Sequence, residues 1–408
     1  MFWVNLLHIY QPPGQKKAIT RKVAAESYWR IIEILKKRPK VKISLNINAS
    51  LTEQLPGAGL SSMIDELTSL ARRGQIEFTG SAKYHVILAL LPEEEIIRQI
   101  ELNNATNKKF FGKFWQPTGF FIPELCYSKK VAKIVQKLGF KWLVLDEIAY
   151  NGQFNKVKFE KQYLIKDLNF PVFFRNTRIS NLFFTAEAKT VADFFKILKD
   201  DGRSKNFLLT ALDGENLGHH QKAMDELYEN ILDSGKFHCI TFSELLKIGN
   251  RKSEIVNPFP SSWSSREEDL KRKVYYPLWK NPKNEIHRKQ WQLTNLVLRE
   301  INYHKKDPRF QAARAKLDQS LHSDQYWWAS ANPWWSVEII ENGARMLTDA
   351  LATLKAISPA TLRKARILYQ QISSLARKWQ TTGRAEKIKE AYLAGEPYER
   401  YFAGKVIK

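Results

Sequence analysis

Two cysteines, Cys126 and Cys239, are all the thiol that this 408-residue chain carries. That excludes a disulfide framework and leaves no cysteine pair at metal-ligand spacing, and it suits a reducing compartment. No apolar run approaches the roughly 20 residues that a bilayer-spanning helix needs. The N-terminus, Met1-Phe-Trp-Val-Asn-Leu-Leu-His8, lacks the basic n-region and small-residue cleavage site of a secretory leader, and reads as a first core strand. The expectation is a soluble, cytoplasmic protein with no membrane partner. Internal repeats and low-complexity tracts are missing too. Acidic residues are in deficit: 42 against 65 Lys and Arg, for a net charge of +23. The excess is spread along the chain, with 36 basic against 26 acidic residues up to residue 250 and 29 against 16 beyond it. Without a nucleic-acid-binding motif to focus it, this charge favours solubility and weak attraction to polyanions, not a specific nucleic-acid partner.

What is present is a large apolar fraction, 44%, and 12 tryptophans, enough for a substantial core with rings to spare for a groove. The chain is organised around Thr118-Gly-Phe-Phe-Ile-Pro-Glu-Leu-Cys-Tyr-Ser128. Thr118 to Ile122 fits a buried strand, Pro123 ends it, and Glu124 follows at once. Helical spacing resumes over Lys129 to Leu138. A carboxylate therefore stands where a buried strand gives way to a loop, the edge at which parallel α/β folds bind ligands. Alone, Glu124 reads more readily as a cap for the following helix; the rest of the chain reverses that.

Other strands are expected at Phe2 to Leu7, Val41 to Ile47, Gln75 to Thr79, Trp142 to Leu145, Phe207 to Leu212 and His238 to Phe242, with a hairpin-like excursion over Val157 to Phe174. Helical patterns alternate with them. The Ser50 hydroxyl, with Glu53 three places on, suggests a capping box. About seven strands alternating with helices make a parallel sheet, open or closed. Polar residues cluster at strand ends: His8, Asn48, Glu77 and His85, Glu124, Asp146, Asp213. Together they predict one rim, where a barrel keeps its active site. Residues 1–250 form this part and a Pro- and Ser-rich linker covers 251–265. Residues 266–408 are helical and include an unusual segment, Ser323-Asp-Gln-Tyr-Trp-Trp-Ala-Ser-Ala-Asn-Pro-Trp-Trp335. Its rings suit stacking on sugar C–H faces, or fastening the helical part to the barrel.

Two rim carboxylates, Glu124 and Asp213, with His and Trp nearby, suggest glycosidic-bond chemistry: one as nucleophile or base, the other as acid. In ordered motifs the chain resembles glycoside hydrolase family 57, the α-amylase, 4-α-glucanotransferase and branching-enzyme family, as a divergent member. The motif His-x-His-Gln-Pro is similar to His8-Ile-Tyr-Gln-Pro12, Gly-x-x-Glu to Gly74-Gln-Ile-Glu77, the nucleophile motif to Ile122-Pro-Glu124, Asp-x-Glu to Asp213-Gly-Glu215, and the fifth motif to Asp324-Gln-Tyr-Trp-Trp328. The resemblance implies an incomplete TIM-like (β/α)7 barrel followed by an α-helical domain that contributes aromatic residues to the cleft. It implies a retaining double displacement on α-glucans, with Glu124 as nucleophile and Asp213 as general acid and base. His8, Tyr10, Gln11, Glu77, His85, Phe121, Glu215, His220, Asp324, Trp327 and Trp328 would contact the oligosaccharide or polysaccharide. No cofactor or metal is implied. Tyr10, Phe121 and His220 depart from the residues usual at their positions. A metal-dependent carbohydrate deacetylase is disfavoured because no His-x-x-x-His occurs; a non-catalytic glucan-binding barrel is the other alternative.

Overall fold

A computed structural model describes residues 1–249 and 251–395. It divides into two compact units, residues 1–263 and 264 onward.

Ten strands lie in the first unit: β1 (Phe2–Ile9), β2 (Ile43–Ile47), β3 (Ile76–Gly80), β4 (Gly119–Phe121), β5 (Trp142–Asp146), β6 (Gln162–Ile165), β7 (Phe170–Arg175), β8 (Phe207–Asp213), β9 (His238–Ile240) and β10 (Ser253–Val256). The hydrogen-bonded order is β10-β6-β7-β5-β4-β3-β2-β1-β8, with β9 beside the start of β1. From β7 through β5, β4, β3, β2 and β1 to β8, every pairing is parallel. The sheet curls until β7 and β8 meet. There the Asn176 N–H donates to the Leu209 carbonyl at 2.7 Å and the Arg175 guanidinium donates to the Ala211 carbonyl at 2.8 Å. No regular ladder joins these two strands, so seven strands form a ring closed by isolated bonds. This is the (β/α)7 barrel expected from the motifs. Its strands β2, β5 and most of β1 are buried along their length, as parallel strands covered on both faces must be.

The excursion is a true hairpin: β6 runs antiparallel to β7. The segment read as a linker contains the boundary between the two units and carries β-structure ahead of it. Ser253–Val256 extends β6 in parallel, and Ser261 pairs with Tyr127 in an antiparallel bridge. The backbone amides of a Pro- and Ser-rich stretch still need partners, and sheet edges supply them here. The capping box is also absent. The Ser50 hydroxyl donates to the Gln11 carbonyl, and Glu53 pairs with Lys83 at 2.7 Å.

One end of the barrel is filled by Trp142. Its ring lies against Gly119 so closely that a Cβ there would come within 2.0 Å of it. At the same end Glu77, the second residue of β3, accepts from the Ser44 hydroxyl at 2.8 Å and the Thr118 hydroxyl at 2.9 Å. The Ser243 N–H adds a third donor at 3.3 Å. Ser44 and Thr118 stand at the entries of β2 and β4, so Glu77 belongs to the N-terminal end of the barrel and not to the rim where the sequence placed it.

The second unit is helical, with its longest helices at Glu285–Tyr303, Val337–Ala352 and Pro359–Thr381. Among the described residues no helix is long and apolar enough to cross a membrane.

Candidate active site

β4 delivers its carboxylate through a tight turn. Pro123 cannot continue the ladder, and Glu124 and Leu125 both take left-handed backbone angles, φ 58° and 47°. His85, after β3, does the same at φ 53°. Such conformations cost about 1–3 kcal/mol each in a non-glycine residue and persist where the surroundings dictate them. Glu124 is 8% exposed. It does not cap the next helix; Ser128 does, accepting from the Val131 N–H. Freed from that role, Glu124 Oε2 accepts the Trp263 indole N–H at 2.7 Å, and its Oε1 lies 3.7 Å from His85 Nδ1. The Trp263 backbone N–H also donates to the Glu124 carbonyl. Residues 261–263 thus run alongside 124–127 and fix the turn from outside.

Beside this turn four near-parallel rings cluster: Phe121–His8, His8–His85 and His85–Tyr10 centroids are 4.6, 4.9 and 4.3 Å apart and His8–Tyr10 6.2 Å, with interplanar angles of 15–21°. His8 Nδ1 is 2.7 Å from Asn46 Oδ1. Burial, and the neighbouring His85, hold the His8 pKa well below its ordinary value, so the imidazole is neutral. Tyr10 is the half-buried ring of the cluster.

Parallel pairing sets Asp213 beside His8. Among the described residues its side chain has no hydrogen-bond partner, and part of its surface stays open. Glu215, two residues on, is buried. One of its oxygens accepts the Tyr28 hydroxyl at 2.5 Å and the Tyr10 N–H at 3.1 Å. Loss of hydration raises both carboxyls above their usual range, with the Arg175 guanidinium pulling Asp213 back and the Asp213 charge adding to the rise at Glu215. Two anions this close are costly, so one proton stays between them near neutrality. Two donors stabilise the charged form of Glu215, and none stabilises that of Asp213.

His8, Tyr10, Gln11, His85, Phe121, Glu124, Asp213 and Glu215 therefore gather at one barrel end. Gln11 joins through its amide, which donates to the Tyr28 hydroxyl at 3.2 Å. His220 is exposed, with Nδ1 3.2 Å from Asn216 Oδ1. Glu77 is not part of the group. Asp324, Trp327 and Trp328 belong to the second unit. There Asp324 lies 3.1 Å from His322 Nδ1, and the rings of Trp327, Trp328 and Trp334 touch at 5.8–6.3 Å between centroids. Sequence reading missed Trp263 and Tyr28. Nothing local marks Trp263, and Tyr28 follows the apolar face of its helix and reads as core.

Comparison with known proteins agrees with this geometry. The chain is 22% identical to an α-amylase of Pyrococcus horikoshii over 279 residues, 65% of this chain and 43% of that protein. It is 23% identical to a 4-alpha-glucanotransferase of Thermococcus litoralis over 279 residues, 65% of this chain and 42% of that protein. It therefore aligns with less than half the length of these relatives. In fold it is similar to the crystal structure of the T. litoralis 4-alpha-glucanotransferase, with a TM-score of 0.66 at 18% identity, over 87% of this chain and 60% of that one. It is similar also to a branching enzyme from P. horikoshii, with a TM-score of 0.66 at 15% identity, over 90% and 94%. The family model described as glycosyl hydrolase family 57 matches residues 5–258, which takes in the turn at Glu124 and the end of β8, and the chain belongs to that family.

Proposed function

We propose that this protein cleaves or transfers α-1,4-linked glucan chains by double displacement, with Glu124 as nucleophile and Asp213 as general acid and base. The observation that carries the reading is the contrast between the two carboxyls. Glu124 is met by an indole N–H that favours its anion, while Asp213 has no such donor, is raised by loss of hydration, and is read here as the carboxyl that holds the shared proton. Environments that push two carboxyls apart assign the acid and the base. In the first step a Glu124 oxygen bonds to the anomeric carbon as the glycosidic C–O bond breaks, and the leaving oxygen takes the Asp213 proton. In the second, Asp213 as carboxylate accepts a proton from water or a sugar hydroxyl, whose oxygen attacks the same carbon and releases Glu124. The negative charge on Glu215 favours the cationic sugar of both transition states.

Tyr10, the half-buried ring of the cluster, and His220 are assigned to the sugar-binding surface with His8, Gln11, His85 and Phe121. Asp324, Trp327 and Trp328 are assigned to sugar binding from their motif and from the aromatic cluster around them. Cys126 and Cys239 are both free and buried, which supports a reducing, cytoplasmic setting.

The test compares wild type with Glu124→Gln on a maltooligosaccharide series, with products separated by length. Longer and shorter products from wild type and none from the variant identify a glucanotransferase acting through Glu124. Shorter products alone identify a hydrolase. If wild type leaves every oligosaccharide unchanged, the α-1,4-glucan reading is wrong.

A further inference from the structure

Trp263 presents its N–H to Glu124, but something must fix the indole. On its face stands Arg175, with the guanidinium carbon 5.2 Å from the ring centroid. Arg175 is the last residue of β7 and is 3% exposed. Its Nε pairs with Asp146 Oδ2 at 2.7 Å, and its Nη1 donates to the Ala211 carbonyl, two residues before Asp213. Asp146 in turn accepts the Thr177 hydroxyl at 2.9 Å and the Ile148 N–H at 3.1 Å. These bonds lie along the edge of the guanidinium, and its flat face is left for the indole. A lysine has no such face and no fork of fixed donors.

We infer that Arg175 is a positioning residue: clamped by Asp146 and by the Ala211 carbonyl of β8, it holds the Trp263 indole in place and thereby ties the orientation of Glu124 to the strand that ends in Asp213. The inference rests on the reading of Glu124 and Asp213 as the catalytic pair. It explains why a buried cation sits between them at the one seam where the barrel lacks a ladder. The groups that act on Asp213 are then Glu215, Tyr28, the neighbouring His8 and Arg175. Of these, Arg175 alone is a fixed positive charge, and it offsets part of the rise that burial imposes on Asp213.

The test has two readouts. The first needs no activity. The 12 tryptophans are labelled as 5-fluorotryptophan, and the Trp263 fluorine resonance is the one missing in Trp263→Phe. It is expected to move in Glu124→Gln, and to move or broaden in Arg175→Met and in Arg175→Lys. A Trp263 resonance unchanged in both Arg175 variants overturns the inference. The second readout is kinetic. Arg175→Met is expected to lower kcat about tenfold to a hundredfold, the scale of small misplacements of a reacting group, with KM within about twofold. It should also move the basic limb of the pH–rate profile up by about one unit, because Asp213 loses a neighbouring cation. Arg175→Lys keeps the charge and is expected to restore the limb without restoring kcat. A fall in kcat with the limb unmoved in Arg175→Met means a structural role only and overturns the inference. If wild type is inactive on glucans the functional reading falls, and the fluorine spectra still decide whether Arg175 holds Trp263.

Discussion

Tyr28→Phe removes one oxygen from the site and leaves the ring in place, so its consequence is almost purely electrostatic. The hydroxyl donates to Glu215 at 2.5 Å, inside a buried pair of carboxyls that shares one proton. A hydrogen bond to a charged group contributes about 1.5–3 kcal/mol, and 1.36 kcal/mol is one pKa unit, so its loss raises Glu215 by about one to two units. Glu215 then competes for the proton near neutrality, and protonated Asp213 is what the first chemical step consumes. The pair as a whole then holds its last proton more tightly, but part of the time on Glu215, so the plateau of kcat/KM, which reports the free enzyme, falls about twofold to tenfold while its basic limb moves up by as much as about one unit. The assay is a pH series from about 4 to 9 on a maltooligosaccharide substrate, with thermal unfolding followed alongside. A basic limb that stays put refutes the coupling. One that moves upward with no fall in the plateau makes Glu215 the proton donor and reverses the assignment of acid.

Two further outcomes follow from other parts of the unit. Glu77→Gln keeps the shape of a side chain that accepts from Ser44, Thr118 and Ser243 but removes its charge; unfolding by urea should show a loss of about 1–3 kcal/mol, while KM for glucan stays unchanged, whereas a rise in KM would return Glu77 to the substrate cleft. Burial pushes Asp213 up to about 7, so the folded chain holds a proton that the unfolded chain releases near 4; wild type should lose stability as pH rises from about 4 through 7, by on the order of 2 kcal/mol once partial exposure is allowed for, and Asp213→Asn should flatten that loss in urea titrations at several pH values.

The strands were legible because parallel strands covered on both faces are written as short apolar runs, and Phe207 to Leu212 or Trp142 to Leu145 can scarcely be read as anything else. The rim was legible for a related reason: Glu124, Asp213 and His8 each come directly at the end of such a run, where the chain must leave the sheet. Glu77 shows how that inference fails. It lies in a strand, and it shares a motif-like spacing with Gly74, but it is the second residue of β3, so three more residues carry the chain across the barrel before the rim is reached at His85. A strand of five residues rises about 17 Å, and confusing its entry with its exit moves a side chain by most of that length.

The residues that tune the carboxyls were not legible at all, and the reason is distance along the chain. Trp263 meets Glu124 across 139 positions and Tyr28 meets Glu215 across 187. Neither leaves a periodic or local trace, since the helix bearing Tyr28 needs an apolar residue at that spacing whether or not its hydroxyl has a partner. Arg175 is hidden differently: a cation after a hairpin strand reads as a solvated end, and only closure of the ring at β7 and β8 turns that end inward. A nucleophile and an acid can be named from a sequence because each must stand at a fixed place in a local pattern. What sets their protonation is the set of groups that folding brings to the same few ångströms, and here that set comes from four separate places along the chain: the helix at Tyr28, the end of β5 at Asp146, the end of β7 at Arg175 and the segment at Trp263.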